Sequence, residues 1–178
     1  EDIISHYTYQ ETGKNLVHSN FLHSLLLDHS GNVWVGSEFA GVTLLSVLSE
    51  GSYRIYPEHE SINDYVNAIR TVVKMPDGGF WFGTRQGNVY AYDKNLEAAS
   101  CYKMPYNYIY AASCDGDGKL WLGTRTMGLC IDGRWYHKMA ADTLSLAHEN
   151  IFDIYRDDKN RMWIGTFGGG LNLAVSRK

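Results

Sequence analysis

Apolar and polar residues alternate along the chain in short segments that are separated by turn-forming residues. Near the end of the chain, "IFDIYR" (151–156) alternates in this way, "DDKN" follows, and "RMWIGT" (161–166) leads through "FGGG" to "LNLAV" (171–175). A period of two is typical of half-buried β-strands, and clusters of Asp, Asn and Gly between such segments form tight turns. The pattern predicts three antiparallel strands joined by two hairpins.

The second of these strands carries a motif that occurs four times. Each copy has Trp three residues after Gly or Asn, followed by an apolar residue, Gly, and Thr or Ser. The tryptophans Trp34, Trp81, Trp121 and Trp163 are 47, 40 and 42 residues apart, a spacing that indicates a repeated supersecondary unit. The copies are "GNVWVGSEFAGVTLL" (31–45), "GGFWFGTRQGNVYAY" (78–92), "GKLWLGTRTMGLCI" (118–131) and "NRMWIGTFGGGLNL" (160–173).

The turn before each Trp also repeats. An Asp stands six residues before the Trp in three copies (Asp28, Asp115 and Asp157), while Met75 takes that place in the second. An Asp-x-x-Gly turn fits a type I turn that is closed by a residue in the left-handed conformation, which Gly or Asn adopts most easily. We expect this conformation at Gly31, Gly78, Gly118 and Asn160.

Each unit is completed by a fourth strand, predicted at 52–56, 97–104 and 134–139, so it is a four-stranded antiparallel meander. Such a sheet cannot bury both faces alone, and copies that stack around an axis form a β-propeller. We expect each Trp ring to fill the seam between neighbouring sheets, where burial of about 150–250 Å² contributes at most about 4–6 kcal/mol. The sequence therefore predicts an all-β propeller of about four blades.

The predicted organisation is a single propeller domain or segment over 1–178. It comprises an outer strand at 3–9, blades at 18–56, 65–104 and 106–139, and an incomplete blade at 148–175. The strand at 3–9 would complete the last blade in a closed ring, or the chain would be a slice of a longer propeller.

Composition and charge narrow the function classes. The net charge is −4 and Lys and Arg do not cluster, which argues against nucleic acid as a partner, and no apolar run approaches the roughly 20 residues that span a bilayer. "DGDGK" (115–119) lacks the later ligands of a calcium loop, and the histidines lack the spacing of a zinc site. We predict no metal, no cofactor and no direct membrane contact.

Three cysteines are too few for a disulfide scaffold. We expect Cys101, Cys114 and Cys130 to be buried, inert thiols. A bridge between Cys101 and Cys114 stays open at this point.

The stretches "DHSGNVWVGS…AGVTLL" and "DDKNRMWIGTFGGGLNL" resemble the two-component regulator propeller repeats, which occur in the periplasmic sensor regions of hybrid two-component systems of Bacteroides-type bacteria. The resemblance extends over all four units, although the second lacks the Asp and the paired glycines. It implies part of a seven-bladed propeller in the periplasm that senses glycan-derived oligosaccharides and signals to a histidine kinase outside this chain. A closed four-bladed ring and paired half-rings are the alternatives.

In propellers, the loops between second and third strands share one rim with the loops that enter each innermost strand. Arg85 and Arg125 follow Gly-Thr in adjacent units, so they could share one carboxylate or sulfate of a ligand, or they are solvated or paired with Glu or Asp of the next blade. Aromatic side chains beside them would suit a sugar ring. The candidate ligand-binding residues are Phe39, Tyr65, Arg85, Tyr108, Arg125, His148 and Phe167, with Asn20, Asn67, Asn107 and Asn150, whose roles in turns are the competing explanation.

Two other function classes stay open. One is a scaffold that mediates dimerisation of the parent receptor. The other is an enzyme, because streptogramin-type lyases are propellers with similar Gly-x-x-Trp repeats, and His18 or His148 would then be the base. The expected partners are a glycan or other small-molecule ligand, adjacent blades or domains of the receptor, and, as a further option, a second copy of the chain.

Overall fold

The structure, a computed structural model, describes residues 7–9, 17–46, 51–58, 65–105 and 108–175. These residues form fifteen β-strands in four antiparallel sheets, which confirms the predicted all-β propeller. Within this part of the chain a single 3₁₀ turn, Tyr65–Asn67, accompanies the strands. None of its helical segments is long and apolar enough to cross a membrane.

The first and second blades each contain four strands in sequential order. The first blade consists of β1 (Leu22–Leu27), β2 (Val33–Ser37), β3 (Val42–Ser46) and β4 (Gly51–Ile55). The second consists of β5 (Ile69–Lys74), β6 (Phe80–Thr84), β7 (Asn88–Tyr92) and β8 (Ala98–Lys103).

The third blade also has four strands, whereas the described residues of the fourth blade form three. The third consists of β9 (Ile109–Cys114), β10 (Leu120–Thr124), β11 (Leu129–Ile131) and β12 (Arg134–Tyr136). The fourth consists of β13 (Ile151–Arg156), β14 (Met162–Thr166) and β15 (Gly170–Ala174). Of the predicted outer strand at 3–9, residues 7–9 do not form a strand, and residues 3–6 lie outside the described residues.

The turns that precede the tryptophans have the predicted conformation. Gly31, Gly78, Gly118 and Asn160 have φ angles of 81°, 90°, 82° and 59°, in the left-handed region. In three of the four turns, the Asp that opens the turn accepts backbone N–H groups with one carboxylate oxygen. Its other oxygen accepts the indole N–H of the following Trp, which explains why Asp and Trp recur six residues apart.

Three hydrophobic clusters hold neighbouring blades together, one in each seam. In the first seam, Trp34 is 2% exposed and its ring centroid lies 4.0 Å from that of Phe80. In the third seam, Trp121 packs with Ile151, Met162 and others of the fourth blade. The face of each sheet that carries the Trp therefore packs on the opposite face of the next sheet.

Trp163 differs from the expectation that every indole fills a seam. It lies on the outer face of the fourth blade, against which no other described blade packs, and it is only partly buried. Tyr155 and Leu171 on the same face are 62% and 66% exposed, and on the outer face of the first blade Leu25 and Leu27 are 69% and 70% exposed. The described blades thus form an open stack, and not the closed four-bladed ring.

The cysteines also differ in part from the expectation. All three are free thiols, so Cys101 and Cys114 are not bridged. Cys114 and Cys130 are buried as expected, and burial raises the pKa of both thiols. Cys101 is exposed, because it lies on β8, the outermost strand of the second blade, all of whose residues are exposed.

Candidate ligand-binding rim

The innermost strand of every blade contains an irregularity at the same place. The pairing of β1, β5, β9 and β13 with the next strand skips one residue near the start of each strand, as in a β-bulge. The skipped residue stands eleven positions before the Trp in every unit. These four residues, His23, Arg70, Tyr110 and Phe152, together line a cavity of about 270 Å³.

The loops after the second strands approach the same end of the blades. In each unit the residue after Ser or Thr donates its backbone N–H to the carbonyl of a residue just before the innermost strand. The four pairs are Glu38 with Phe21 (3.0 Å), Arg85 with Ala68 (2.8 Å), Arg125 with Tyr108 (3.1 Å) and Phe167 with Asn150 (2.9 Å). The repeat thus places one acidic, two basic and one aromatic residue at equivalent positions, and we call these loops together with the cavity the rim.

A buried carboxylate organises one side of the rim. Glu38 is 8% exposed, and it contacts His23, Arg70 and Arg85. Its Oε1 accepts from Nη1 of Arg85 at 2.7 Å, and its Oε2 lies 3.2 Å from Nη2 of Arg70. Nη1 of Arg70 is 3.0 Å from Nδ1 of His23. Because Arg can only donate, Nδ1 of His23 accepts, and Nε2 carries the proton that it donates to Glu38.

The charges of this cluster offset one another. Burial raises the pKa of the Glu38 carboxyl, but His23, Arg70 and Arg85 outweigh that effect, so its pKa lies below the usual range. Burial lowers the pKa of Arg85, and the contact with Glu38 more than restores it. Glu38 therefore stays ionised and partly neutralises the positive charge of the two arginines. The Nε of Arg70 is buried without a hydrogen-bond partner among the described residues.

Arg125 has a different environment, although it occupies the same position in its blade as Arg85. It is exposed and forms no salt bridge within the described part of the chain. The guanidinium carbon of Arg125 lies 5.7 Å from the ring centroid of Tyr108, and that of Arg85 lies 5.9 Å away. Tyr108 has a φ of 75°, which is uncommon for an aromatic residue. The ring of Tyr108 is thus close to both guanidinium groups, and Arg125 is the more exposed of the two arginines.

Aromatic rings continue around the rim. Phe152 lies 5.1 Å from Tyr110 and 5.5 Å from Phe167 between ring centroids, and both phenylalanines are more than half exposed. On the opposite side, Phe39 lies 5.3 Å from Tyr65, over which Arg85 packs at 4.5 Å. Exposed aromatic faces beside guanidinium groups provide both apolar contact and hydrogen-bond donors.

The structure separates the predicted site residues into two groups. Six of them contact one another or the cavity residues: Phe39, Tyr65, Arg85, Tyr108, Arg125 and Phe167. Asn67 is buried and pairs with the backbone of Glu58, and Asn20 accepts the backbone N–H of Tyr9, so the side chains of both bind backbone groups.

Of three other predicted residues, two form hydrogen bonds near the start of the fourth blade and one lies outside the described residues. His148 accepts the backbone N–H of Asn150 through Nδ1. The Asn150 carbonyl accepts the N–H of Phe167. Asn107 lies outside the described residues. His18, the other candidate base, hydrogen-bonds Thr43 on β3, and burial together with Arg54 lowers its pKa.

Sequence reasoning missed the four cavity residues. They are four different residue types (His23, Arg70, Tyr110 and Phe152), so a search for one repeated residue type does not find them. Their common feature is a position, eleven residues before Trp, and the bulge that exposes it is a property of backbone pairing.

The fold and the rim define a β-propeller segment whose irregular inner strands present a small cavity lined by basic and aromatic residues. Residues 15–39, 103–126 and 145–168 match the family described as two component regulator propeller. These segments come from the first, third and fourth units, and the second unit is the one that lacks the Asp and the paired glycines. The recognition made from the repeat motif is confirmed.

Similar proteins agree with this assignment. The chain is 25% identical over 171 residues to histidine kinase P4 of Formosa agariphila, covering 88% of this chain and 12% of that protein. The extracellular domain described as that of a hybrid two component system from B. thetaiotaomicron is 20% identical, with a TM-score of 0.76 over 92% of this chain and 22% of that domain. Virginiamycin B lyase from Staphylococcus aureus has the same fold, with a TM-score of 0.64, 14% identity and coverage of 90% of this chain and 58% of the lyase. The chain therefore spans about an eighth of the kinase and about a fifth of the extracellular domain.

Proposed function

We propose that the chain is a ligand-sensing propeller segment of a hybrid two-component regulator, located in the periplasm, and that its ligands are glycan-derived oligosaccharides. The observation that carries the proposal is the rim cavity, which Arg70 and the exposed ring of Phe152 line together, with the ring of Phe167 packed against Phe152. Aromatic faces pack on the apolar faces of sugar rings, and guanidinium groups donate to hydroxyl or carboxylate oxygens. The repeat family and the related histidine kinase support a role in signalling, with the kinase outside this chain.

Within this proposal, Arg125 is the residue that would meet an acidic group of the ligand. Arg85 and Arg70 already share Glu38, so an additional carboxylate or sulfate would compete with a buried partner for their charge. Arg125 has no such partner among the described residues and is exposed. The sequence suggested that Arg85 and Arg125 could share one anionic group of a ligand. We propose instead that Arg125 alone binds that group.

Isothermal titration calorimetry with paired acidic and neutral oligosaccharides of equal length tests the proposal. We expect Arg125→Ala to weaken binding of acidic members by about tenfold or more, equivalent to about 1.4 kcal/mol, and to leave neutral members unchanged. Phe152→Ala should weaken both kinds. Arg134→Ala is the matched control, because Arg134 also packs over a Tyr ring but lies on the short outermost strand β12.

The outcomes separate the function classes. Absence of heat with every member of the panel contradicts ligand sensing by this rim. If chromatography shows that a member of the panel is consumed, the lyase class is favoured. A scaffold that mediates dimerisation is the second candidate function, and it is favoured by the exposed apolar residues on the outer faces of the first and fourth blades.

A further inference from the structure

The second blade lacks a hydrogen bond that the other three share. The indole N–H groups of Trp34, Trp121 and Trp163 donate to aspartates six residues earlier, at 3.0, 2.9 and 3.0 Å. In the second blade that position is Met75, whose side chain offers no comparable acceptor. The indole N–H of Trp81 accordingly has no hydrogen-bond partner within the described part of the chain.

The residue that faces this Trp from the next blade is also different. In the first seam Trp34 stacks on Phe80, the residue immediately before the next Trp. In the second seam the equivalent residue is Leu120, which is smaller and not planar. The second seam therefore has less side-chain volume opposite its indole than the first.

A cavity lies where the acceptor and the facing ring are both missing. Its volume is about 360 Å³, within the range of small-molecule sites, and Met75, Trp81, Tyr102, Met104, Leu120 and Cys130 are among its lining residues. The ring of Tyr102 covers Trp81 in a nearly parallel stack, with centroids 5.6 Å apart and planes inclined by 4°. The lining is thus mostly apolar, with the rings of Trp81 and Tyr102 and with Asp132 as its one charged residue, and the indole N–H of Trp81 has no partner among the described residues.

We infer that this seam cavity binds a small planar aromatic molecule that carries a hydrogen-bond acceptor, such as a phenol. The aromatic ring would take the place opposite Trp81 that Phe80 takes opposite Trp34, and the acceptor would meet the indole N–H in place of the absent carboxylate. The occupant is argued from the protein's own first seam, in which a ring fills the equivalent space. The site is separate from the rim and does not depend on the proposed function.

The test uses ¹H–¹⁵N correlation spectra of the chain, in which each of its five Trp residues gives one indole N–H signal. The probes are p-cresol and toluene, which share the ring but differ in the acceptor, and Trp81→Phe assigns the Trp81 signal. We expect p-cresol to shift the Trp81 signal in a saturable manner and toluene to bind at least about tenfold more weakly, with the other four signals unchanged. Absence of a saturable Trp81 shift, or equal shifts of all five signals, would overturn the inference.

Leu120→Phe places in the second seam the aromatic residue that faces the Trp in the first seam, so it should fill the cavity. We expect this variant to lose p-cresol binding by at least about tenfold while its thermal unfolding temperature is maintained or raised. Met162→Leu, at the equivalent position of the third seam, is the matched control and should leave the Trp81 response intact. If Leu120→Phe does not fold, Met75→Asp, which introduces the carboxylate that the other three units have at this position, should still weaken p-cresol binding, because it provides an acceptor for the indole N–H of Trp81. Unchanged affinity in the folded variants would place the probe elsewhere and contradict the inference.

Discussion

At the scale of single residues, the aspartate of each hairpin turn connects the turn to the seam. Asp115 accepts the backbone N–H groups of Asp117 and Lys119 with Oδ1 and the indole N–H of Trp121 with Oδ2. Burial raises the pKa of Asp115, but these hydrogen bonds outweigh burial, so the pKa lies below its ordinary value. The carboxylate therefore fixes both the turn backbone and the orientation of the ring that fills the third seam.

This arrangement predicts a loss of stability in acid. The pKa of Asp115 is lower in the folded chain than its ordinary value of 3.8. The ionised carboxylate therefore contributes fully to folding stability at a pH above 3.8, and this contribution is lost as the pH falls from 3.8 through the lowered pKa of the folded chain. We expect Asp115→Asn to lower the free energy of unfolding at pH 7 by about 1–2 kcal/mol, because the charged acceptor is lost. Urea unfolding as a function of pH should also show a weaker dependence below pH 3.8 than in the wild type.

Asp117→Asn is the control for this substitution, because Asp117 is exposed in the same turn and contributes its backbone N–H and not its side chain. It should retain the wild-type acid dependence. Identical pH profiles for Asp115→Asn and the wild type would show that the carboxylate does not couple the turn to the seam.

The residue scale also shows why the site was harder to predict than the fold. Asp28, Asp115 and Asp157 stand out in the sequence because the same chemistry repeats at the same spacing. The sequence located Arg85, Arg125 and Phe167 on one rim. It did not reveal that Arg85 pairs with Glu38, which has the equivalent position in the neighbouring blade but the opposite charge. Such pairing depends on side-chain reach between sheets, which periodicity does not encode.

At the scale of the strands, the glycine after each Trp sets how closely two blades approach. A Cβ atom on Gly123 would clash with Cγ2 of Ile151 on the innermost strand of the next blade and would lie 2.9 Å from Cβ of that residue. Gly165 occupies the same position in the fourth blade, where the nearest atom to such a Cβ is 3.7 Å away, on Asp153 of its own sheet. The repeated geometry of the seam therefore requires glycine only where another blade packs.

This difference gives a matched pair of substitutions. We expect Gly123→Ala to destabilise the chain by about 1–3 kcal/mol, the usual cost of adding a methyl group to a packed interior. Gly165→Ala should change the free energy of unfolding by less than about 0.5 kcal/mol, as exposed substitutions do. Chemical denaturation of both variants provides the measurement. Equal effects of the two alanines would mean that the seam is not tightly packed at Gly123.

The tryptophans form a second matched pair. Trp121 is 8% exposed in the third seam, and we expect Trp121→Ala to cost about 3–5 kcal/mol, as truncation of a buried aromatic residue does. Trp163 has the same sequence context but a partly exposed ring on the outer face, so Trp163→Ala should cost clearly less. Thermal melting of both variants, compared with Trp34→Ala as a second seam Trp, tests the difference. A larger loss for Trp163 than for Trp121 would contradict the packing described here.

Strand order and turns were predictable for a physical reason. Alternation, turn residues and the repeat period all reflect interactions within one unit, and each unit shows them independently. The environment of Trp163 was not predictable, since it depends on which blade follows, and the motif around Trp163 is the same as that around Trp121. The cavity opposite Trp81 escaped prediction for a similar reason, because it depends on residues of two units taken together.

At the scale of the whole molecule, the two ends of the stack present complementary faces. Every seam joins the Trp face of one blade to the opposite face of the next. The fourth blade leaves its Trp face uncovered, with Leu171 and Leu173 66% and 38% exposed, and the first blade leaves the opposite face uncovered, with Leu25 and Leu27 69% and 70% exposed. Contiguous apolar faces of this kind mark interaction surfaces, and we expect further blades or another copy to cover them.

We therefore expect residues 1–178, produced as a separate chain, to associate end to end through a contact that copies the internal seams. Sedimentation velocity over a range of concentrations should show species larger than the monomer. Leu25→Asp should shift the distribution towards monomer, because it places a charge in the contact that would have to be desolvated. Leu144→Asp is the matched control, since Leu144 is 75% exposed in the loop before the fourth blade and lies outside both end faces. A monomer at all concentrations, or an equal effect of the two substitutions, would show that the end faces do not bind each other and would favour a slice of a longer propeller over paired half-rings.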